Sequence, residues 1–473
     1  MMQPAQTSLD MDTQLPTHEG YISVAPSKRY FQDERGNGFV VIGHNDAITW
    51  PGLMELLDGS SYQTTEDYIR DLRGHGINVS RVMIEYAQYE NGYFENPVGE
   101  FVPAVVQFWD EFIALAEKHG LYLLLTPYDT FWQVRNWKTY PYSADLGGPC
   151  RTMRDWLTSP EVIAAHKARW DFMLQRWGGS SSIFAWDIMN EIDLYWGSTA
   201  DEISAYITEM AAYIRQTEMA LYGKTHLLTT SSAEPTPTDA LGHVIYNHPS
   251  LDFANTHLYV GPGINTPLDA VECVEEMVSG VRLSLQSVFQ TRPYFDSESG
   301  PIYQWIEEAS LDKEYHHNMS WAHLMTGGAG SGMRWPYTTP HWLIPELRTN
   351  LLGLARFAAT IDWTRFASRC FTQHIRVGKP GVLRTGCTDS KTTALIWLLS
   401  DGRLMHPPSL SGTRISIANA LPDGDYTIEV WETYEGRPLT CFDTRIVDGK
   451  MQVELPDLDD TLRDVALIVR KVD

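Results

Sequence analysis

The sequence predicts an α/β fold, a (β/α)8 TIM barrel followed by an antiparallel β-sandwich domain. Short β-branched or apolar runs alternate with longer helix-like segments through residues 21–368. From about Phe371 the texture changes to short strands separated by turns, with no long helix. The length of 473 residues also exceeds what one hydrophobic core usually supports. The expected organisation is a loose tail over 1–20, a barrel over 21–368 and a sandwich over 369–473.

The eight runs read as barrel strands are FVVIGH (39–44), INVSRVMI (77–84), LYLLLTPY (121–128), SIFAWDIMN (182–190), HLLTTSS (226–232), DFANTHLY (252–259), PYFDSES (293–299) and SGMRWPY (331–337). Between them lie helical segments such as TEDYIRDLRGHG and PAVVQFWDEFIALAEKHG, both closing on His-Gly, the expected chemistry of a helix C-terminus. The eighth helix is read in HWLIPELRTNLLGLARFAATID. After it, TTALIWLLS, RISIAN, YTIEVWETY and DVALIVRKV read as sandwich strands, with PDGD and VDGK as turns.

Composition narrows the function classes. A formal net charge of −24 argues against nucleic-acid partners, whose recognition rests on neutralising phosphates with Lys and Arg. The five cysteines lie far apart without a CxxC, as expected of reduced thiols, although one pair bridging stays open. The opening MMQPAQTSLDMDTQLPTHEG has neither the basic nor the apolar region of a signal peptide, and no apolar run reaches the length of a membrane span, so a cytoplasmic protein is expected. His316-His317 lacks metal-ligand spacing to carboxylates, no HExxH or GxSxG occurs, and the glycines of GGAGSG lead into a strand rather than a helix. No metal and no cofactor are expected.

In a (β/α)8 barrel the chemistry sits at the C-terminal ends of the strands. Strand four ends in Asn190-Glu191 and strand seven in Glu298, which puts two carboxyl groups across the mouth from each other. Period-two alternation places Asp187, Met189 and Glu191 on one side and Asn190 on the other. Two facing carboxyl groups are what retaining glycoside hydrolysis requires, one attacking the anomeric carbon and the other protonating the departing oxygen, at a separation of about 5–5.5 Å. Taken singly, either glutamate reads equally well as a rim ion pair.

Asn190-Glu191 on strand four and Glu298 on strand seven resemble the signature of glycoside hydrolase family 5 and its wider clan of retaining barrel enzymes. The resemblance covers roughly residues 20–368. GINVSR supplies Arg81 where the family has an arginine ending strand two; HLY supplies His257 and Tyr259 after strand six; Trp335 matches the tryptophan ending strand eight. By this resemblance Glu191 is the acid/base and Glu298 the nucleophile. The chain departs from the family pattern at strand three, where TPYDTFW has Tyr128 and Asp129 in place of a histidine.

The companion residues suit those roles. Arg81 is expected beside Glu298, as befits a nucleophile that must carry charge. Glu191 must start protonated, which calls for an apolar wall from Trp186, Tyr195 or Trp196. Asn190 is expected on a sugar 2-hydroxyl, Tyr259 on Glu298, His257 on a carboxylate or hydroxyl, and Trp335 under a sugar ring. Tyr128, Asp129 and Trp132 open the long segment DTFWQVRNWKTYPYSADLGG, which reads as a wall of the site or, equally, as a hydrophobic plug. The expected partner is a β-linked oligosaccharide, processed by exo action with β-mannoside as first guess. The alternatives are an endo-acting β-glucanase or mannanase, a β-glucosidase, a transglycosidase, or a non-catalytic carbohydrate-binding barrel. Oligomeric state is not legible.

Overall fold

The computed structural model describes residues 15–88, 92–195, 197–289, 291–302, 309–335 and 343–472. Three two-residue strands come first: β1 (Ser23–Val24), β2 (Phe31–Gln32) and β3 (Gly38–Phe39), an antiparallel ribbon absent from the sequence reading. The barrel strands follow as β4 (Gly43–Asp46), β5 (Val79–Met83), β6 (Tyr122–Thr126), β7 (Ile183–Asp187), β8 (Leu227–Thr229), β9 (Ala254–His257) and β10 (Tyr294–Glu298). Each falls inside or against a predicted run, because strands covered on both faces read as continuous apolar stretches.

Strands β4 to β8 form one parallel sheet and β9 with β10 another. Backbone hydrogen bonds close the gaps between them. Asp252 N donates to Leu228 O at 2.9 Å and His257 N to Ser232 O at 3.0 Å, joining β8 to β9. Residues 329–334 run between β10 and β4, with Ala329 N bonded to Tyr294 O at 2.8 Å and Ser331 N to Val41 O at 2.8 Å. The ring of eight segments is thereby continuous, the topology of a (β/α)8 barrel. The eighth segment makes isolated bridges rather than a ladder, and it starts earlier than the expected 331–337. Its glycines have a packing reason: a Cβ on Gly330 would come within 2.3 Å of Val41 O.

The ribbon β1–β3 stoppers the N-terminal pole. Phe31 is fully buried and stands edge-on to Phe184 at 5.0 Å and to Phe253 at 5.4 Å between ring centroids. Phe253 in turn stacks on Phe295 at 5.2 Å. A barrel lined by side chains still needs a cover at its base, and these aromatic rings supply it.

The C-terminal region forms two antiparallel sheets. Its strands are β11 (Arg369–Cys370), β12 (Ile375–Val377), β13 (Val382–Thr388), β14 (Thr393–Ser400), β15 (Arg414–Ala418), β16 (Gly424–Glu432), β17 (Arg437–Ile446), β18 (Lys450–Glu454) and β19 (Asp464–Lys471). One sheet has the order β11-β13-β14-β19-β16-β17 and the other β12-β15-β18. Ile396, Ile428 and Leu467 of the larger sheet share a core with Ile375, Ile417 and Met451 of the smaller, consistent with the expected β-sandwich. The alternate residues Leu395, Trp397 and Ile468 join the barrel's own core. Asp464 ties the two together, accepting from Trp397 Nε1 at 2.7 Å and lying 3.0 Å from His317 Nε2 on the helix Ala309–Thr326. Among the described residues no helix is long and apolar enough to cross a membrane.

Phe31→Ala should lower the unfolding free energy by about 3–5 kcal/mol, the usual cost of emptying a buried aromatic site. Urea unfolding followed by tryptophan fluorescence checks this; a loss below about 1 kcal/mol would show that the ribbon is peripheral to the barrel.

Candidate active site

At the C-terminal ends of the strands the structure brings together six predicted residues: Arg81, Asn190, Glu191, His257, Tyr259 and Glu298. Arg81 projects from β5, is 1% exposed, and spreads its guanidinium over three strands. Nη1 donates to Glu298 Oε2 at 2.7 Å and to Asn45 Oδ1 at 3.0 Å, while Nη2 donates to Asn190 Oδ1 at 2.6 Å. Asp187 Oδ2 lies 3.5 Å from Nη2 and also accepts from Thr126 and Ser231 hydroxyls. Glu298 takes a second hydrogen bond from the Tyr259 hydroxyl at 2.7 Å, so each of its oxygens is held by a donor. The backbone of Glu298 is anchored as well, its N–H donating to Asp296 Oδ1 at 3.1 Å.

Glu191 occupies a different environment. It is 6% exposed, and its Oε1 lies 2.8 Å from His257 Nδ1. Burial pushes its carboxyl up to about 8, helped by the neighbouring negative charge of Asp193 and opposed by Arg81 and Arg135. Asp193 is fixed in place by the N–H groups of Ala233 and Glu234. Burial also takes His257 down to about 4, so its ring is neutral beside the protonated acid. One carboxylate is thus ion-paired and the other is kept protonated, with an oxygen of each and a His257 nitrogen within 4.8 Å of one another. The same three groups are a conceivable metal-donor set. The guanidinium on Glu298 and the engagement of Nδ1 with Glu191 instead make them an ion-paired, proton-sharing cluster.

The alternation expected along strand four does not extend to the site. β7 ends at Asp187, and Glu191 has φ +45°, in the left-handed region that non-glycine residues rarely adopt. The chain turns there, and the Asn190 and Glu191 side chains both reach strand-end partners across the mouth. The expected apolar wall is also not as read. Trp186 points outward, its indole bonded to Glu218 at 2.9 Å and its ring edge-on to Trp170; the Tyr195 hydroxyl is bonded to Gln133 at 2.6 Å. Trp196 lies outside the described residues.

The segment after strand three follows the plug reading over much of its length. Tyr128 is fully enclosed beneath the Arg169 guanidinium, 4.3 Å from its ring centre, and edge-on to Trp156. Asp129 is 1% exposed; it accepts from Ala87 N at 3.0 Å and from Trp132 N at the start of the helix Thr130–Arg135. Both side chains are as buried as Arg81 and His257, and Asp129 lies within electrostatic reach of Glu298. The enclosed Tyr140 donates to Glu85 at 2.7 Å and Tyr142 to Glu95 at 3.0 Å, and both carboxylates face Arg169. Trp132 is half-buried against Phe131, and Trp335 is half-buried and edge-on to Trp50 at 4.7 Å. Sequence reasoning missed Asn45, Asp187 and Asp193 as supports. The polar pair at the end of GHND was the available signal for the first, since an Asn-Asp closing an apolar strand needs a partner.

The protonated acid can be observed directly. In infrared pH titration, a carboxyl C=O band present at about pH 6 should disappear as the pH rises through about 8, and Glu191→Gln should lack it. A band lost near the ordinary glutamate range would remove the assignment.

A family model described as Cellulase (glycosyl hydrolase family 5) matches residues 33–234. Mannan endo-1,4-beta-mannosidase 4 of Oryza sativa subsp. japonica is 27% identical over 153 residues, which span 30% of this chain and 33% of that protein. The chain thus covers only about a third of the length of this curated relative. A glycoside hydrolase family 5 structure from Bacteroides vulgatus ATCC 8482 is similar over 96% of this chain and 94% of its own, with TM-score 0.62 and 15% identity. The glycoside hydrolase family 5 mannosidase from Rhizomucor miehei, in complex with mannosyl-fructose, is similar over 72% of this chain and 96% of its own, with TM-score 0.51 and 15% identity. At such identities the structural likeness speaks for the fold. Together with the family match, which ends at residue 234 and so covers Arg81, Asn190 and Glu191 but not Glu298, it bears out the resemblance to family 5.

Proposed function

We propose that this chain, whose barrel matches glycoside hydrolase family 5, is a retaining β-glycosidase with Glu298 as nucleophile and Glu191 as acid/base. The observation that carries the proposal is the buried, facing pair itself: one carboxylate bonded to Arg81, the other raised to about 8, with oxygens within 4.8 Å. That closeness suits direct attack by a carboxylate, whereas an inverting enzyme leaves about 6.5–9.5 Å for an intervening water.

In the first step Glu298 bonds to the anomeric carbon while the Glu191 proton passes to the departing oxygen, releasing the aglycone as an alcohol. In the second, Glu191, now ionised, takes a proton from water as that oxygen displaces Glu298. Tyr259 and Arg81 hold the nucleophile's two oxygens, which limits it to a small set of attack geometries. Asn190 spends its Oδ1 on Arg81, leaving its NH2 group to donate to a sugar 2-hydroxyl. Trp335 and Trp132 are the aromatic surfaces proposed for sugar stacking.

A β-mannoside is the proposed glycone, supported by the mannan-directed activity named for the rice relative and the mannosidase named for the Rhizomucor structure. Exo action on short, cytoplasmic oligosaccharides belongs to the same proposal, supported by the deep burial of both carboxylates. The endo alternative draws its support from the rice relative, described as an endo-mannosidase.

Aryl β-mannoside and β-glucoside hydrolysis by the wild type, Glu298→Gln and Glu191→Ala tests the assignment. Glu298→Gln should form no glycosyl-enzyme by intact mass. Glu191→Ala should lose about 10²–10⁴-fold on substrates with poor leaving groups while keeping activity on activated aryl glycosides. Equal losses in both variants on every substrate would overturn the division of roles.

Arg81→Lys retains a cation but not the fork that serves Glu298, Asn45 and Asn190 at once. With a charged hydrogen bond contributing about 1.5–3 kcal/mol, kcat/KM should fall about 10- to 100-fold. Near-wild-type activity would leave Arg81 with a general electrostatic part only.

A further inference from the structure

At the pole opposite the carboxylate pair, an open cavity of about 400 Å³ lies between the turn joining β1 to β2, the helix Glu272–Ser287 and the start of β11. Three arginines line it, Arg29, Arg282 and Arg369, with Gln286 and Gln373 beside them and no carboxylate in the lining. In a chain of 60 acidic and 36 basic residues, three arginines around one hollow with no acid among them is a marked reversal of sign. Arg81, Arg169, Arg176, Arg215 and Arg403 each hold a carboxylate, whereas Arg73, Arg292 and Arg384 donate to backbone carbonyls. Among the described residues none of the three cavity arginines has a carboxylate within ion-pair distance.

Arg29 makes the arrangement more than a patch of surface charge. It is 5% exposed, its Nε donates to Ser368 O at 3.2 Å and its Nη1 to Lys28 O at 3.3 Å, so the backbone holds the head group still. Burial, together with the nearby charge of Arg369, pulls this guanidinium down to about 10. A buried cation facing another cation is costly unless an anion joins them. Arginine forks present planar paired donors matched to tetrahedral oxyanions.

We propose that this cavity is a binding site for a phosphate-class oxyanion, held jointly by Arg29, Arg282 and Arg369. The amides of Gln286 and Gln373 add uncharged donors, and Phe289, 73% exposed on the rim, offers an apolar face to any sugar attached to the phosphate. The same chemistry is presented by free inorganic phosphate and by a phosphorylated sugar. The site is separate from the hydrolytic one and does not depend on it.

Titration calorimetry on the full chain at fixed ionic strength tests this, using inorganic phosphate, mannose 6-phosphate and unphosphorylated mannose. Saturable heat is expected with the two phosphates. The exposed-residue variant Arg369→Gln, and Arg282→Gln with it, should weaken binding about tenfold or more for each guanidinium removed. Hydrolysis measured without phosphate should be unchanged in both, which also reports that they are folded. Tighter binding of mannose 6-phosphate than of inorganic phosphate, lost in Phe289→Ala, would identify a sugar phosphate; equal binding would identify the free anion. No saturable heat with either phosphate, or equal binding by wild type and variants, would overturn the proposal.

Discussion

The burial of the Arg81 charge is the constraint on which the rest of the mouth depends. A guanidinium withdrawn from water is tolerated only when its charge is met, and here Nη1 and Nη2 are met by groups from β4, β10 and the turn after β7, while Nε has no hydrogen-bond partner among the described residues. Those contacts fix where the strand ends stand relative to one another. They also divide the two glutamates. Glu298 receives the cation directly, whereas Glu191 lies next to Asp193 and a neutral His257 and is left to burial. Two chemically identical side chains thereby acquire different surroundings, one on the guanidinium and the other raised by burial to about 8.

Much of this was legible in the amino-acid sequence because a barrel strand covered on both faces leaves a continuous apolar run, and a carboxylate closing such a run stands out. Arg81, Glu191, His257, Tyr259 and Glu298 were recognisable for that reason and by their family resemblance. Orientation was less legible. Strand periodicity assigned Asn190 and Glu191 to opposite sides, but β7 stops at Asp187 and the left-handed backbone of Glu191 cancels the alternation, a local event that hydrophobic patterning does not encode. Tyr128 and Asp129 illustrate a second limit. Their residue types suit a sugar site, yet whether a loop folds over the mouth or into the core depends on distant partners such as Arg169 and Glu85.

The same limit applied to whole elements. The ribbon β1–β3 was invisible because its strands are only two residues long and owe their form to the barrel base they cover. Strands β13, β17 and β18 were passed over for a related reason. β17 alternates exposed and half-buried residues with several charges, a pattern that resembles a loop until its neighbour β16 is known. By contrast β14, TALIWLLS, was obvious, and the structure explains its unbroken hydrophobicity: one set of alternate residues faces the smaller sheet and the other faces the barrel helices.

That double burial bears on what counts as a domain in this chain. A sandwich sheet usually gives one face to its partner sheet and the other to water, and so can stand alone. Here the outward face is dry, with Trp431 edge-on to Phe357 of a barrel helix at 5.7 Å and Trp397 held by the Asp464 that also meets His317. The border near residue 368 is therefore a change of texture along the chain rather than a line of energetic separation. The two sheets keep a core of their own between them, while the outward face of the larger one belongs to the barrel's core, so separating the two parts would bare that apolar face to water.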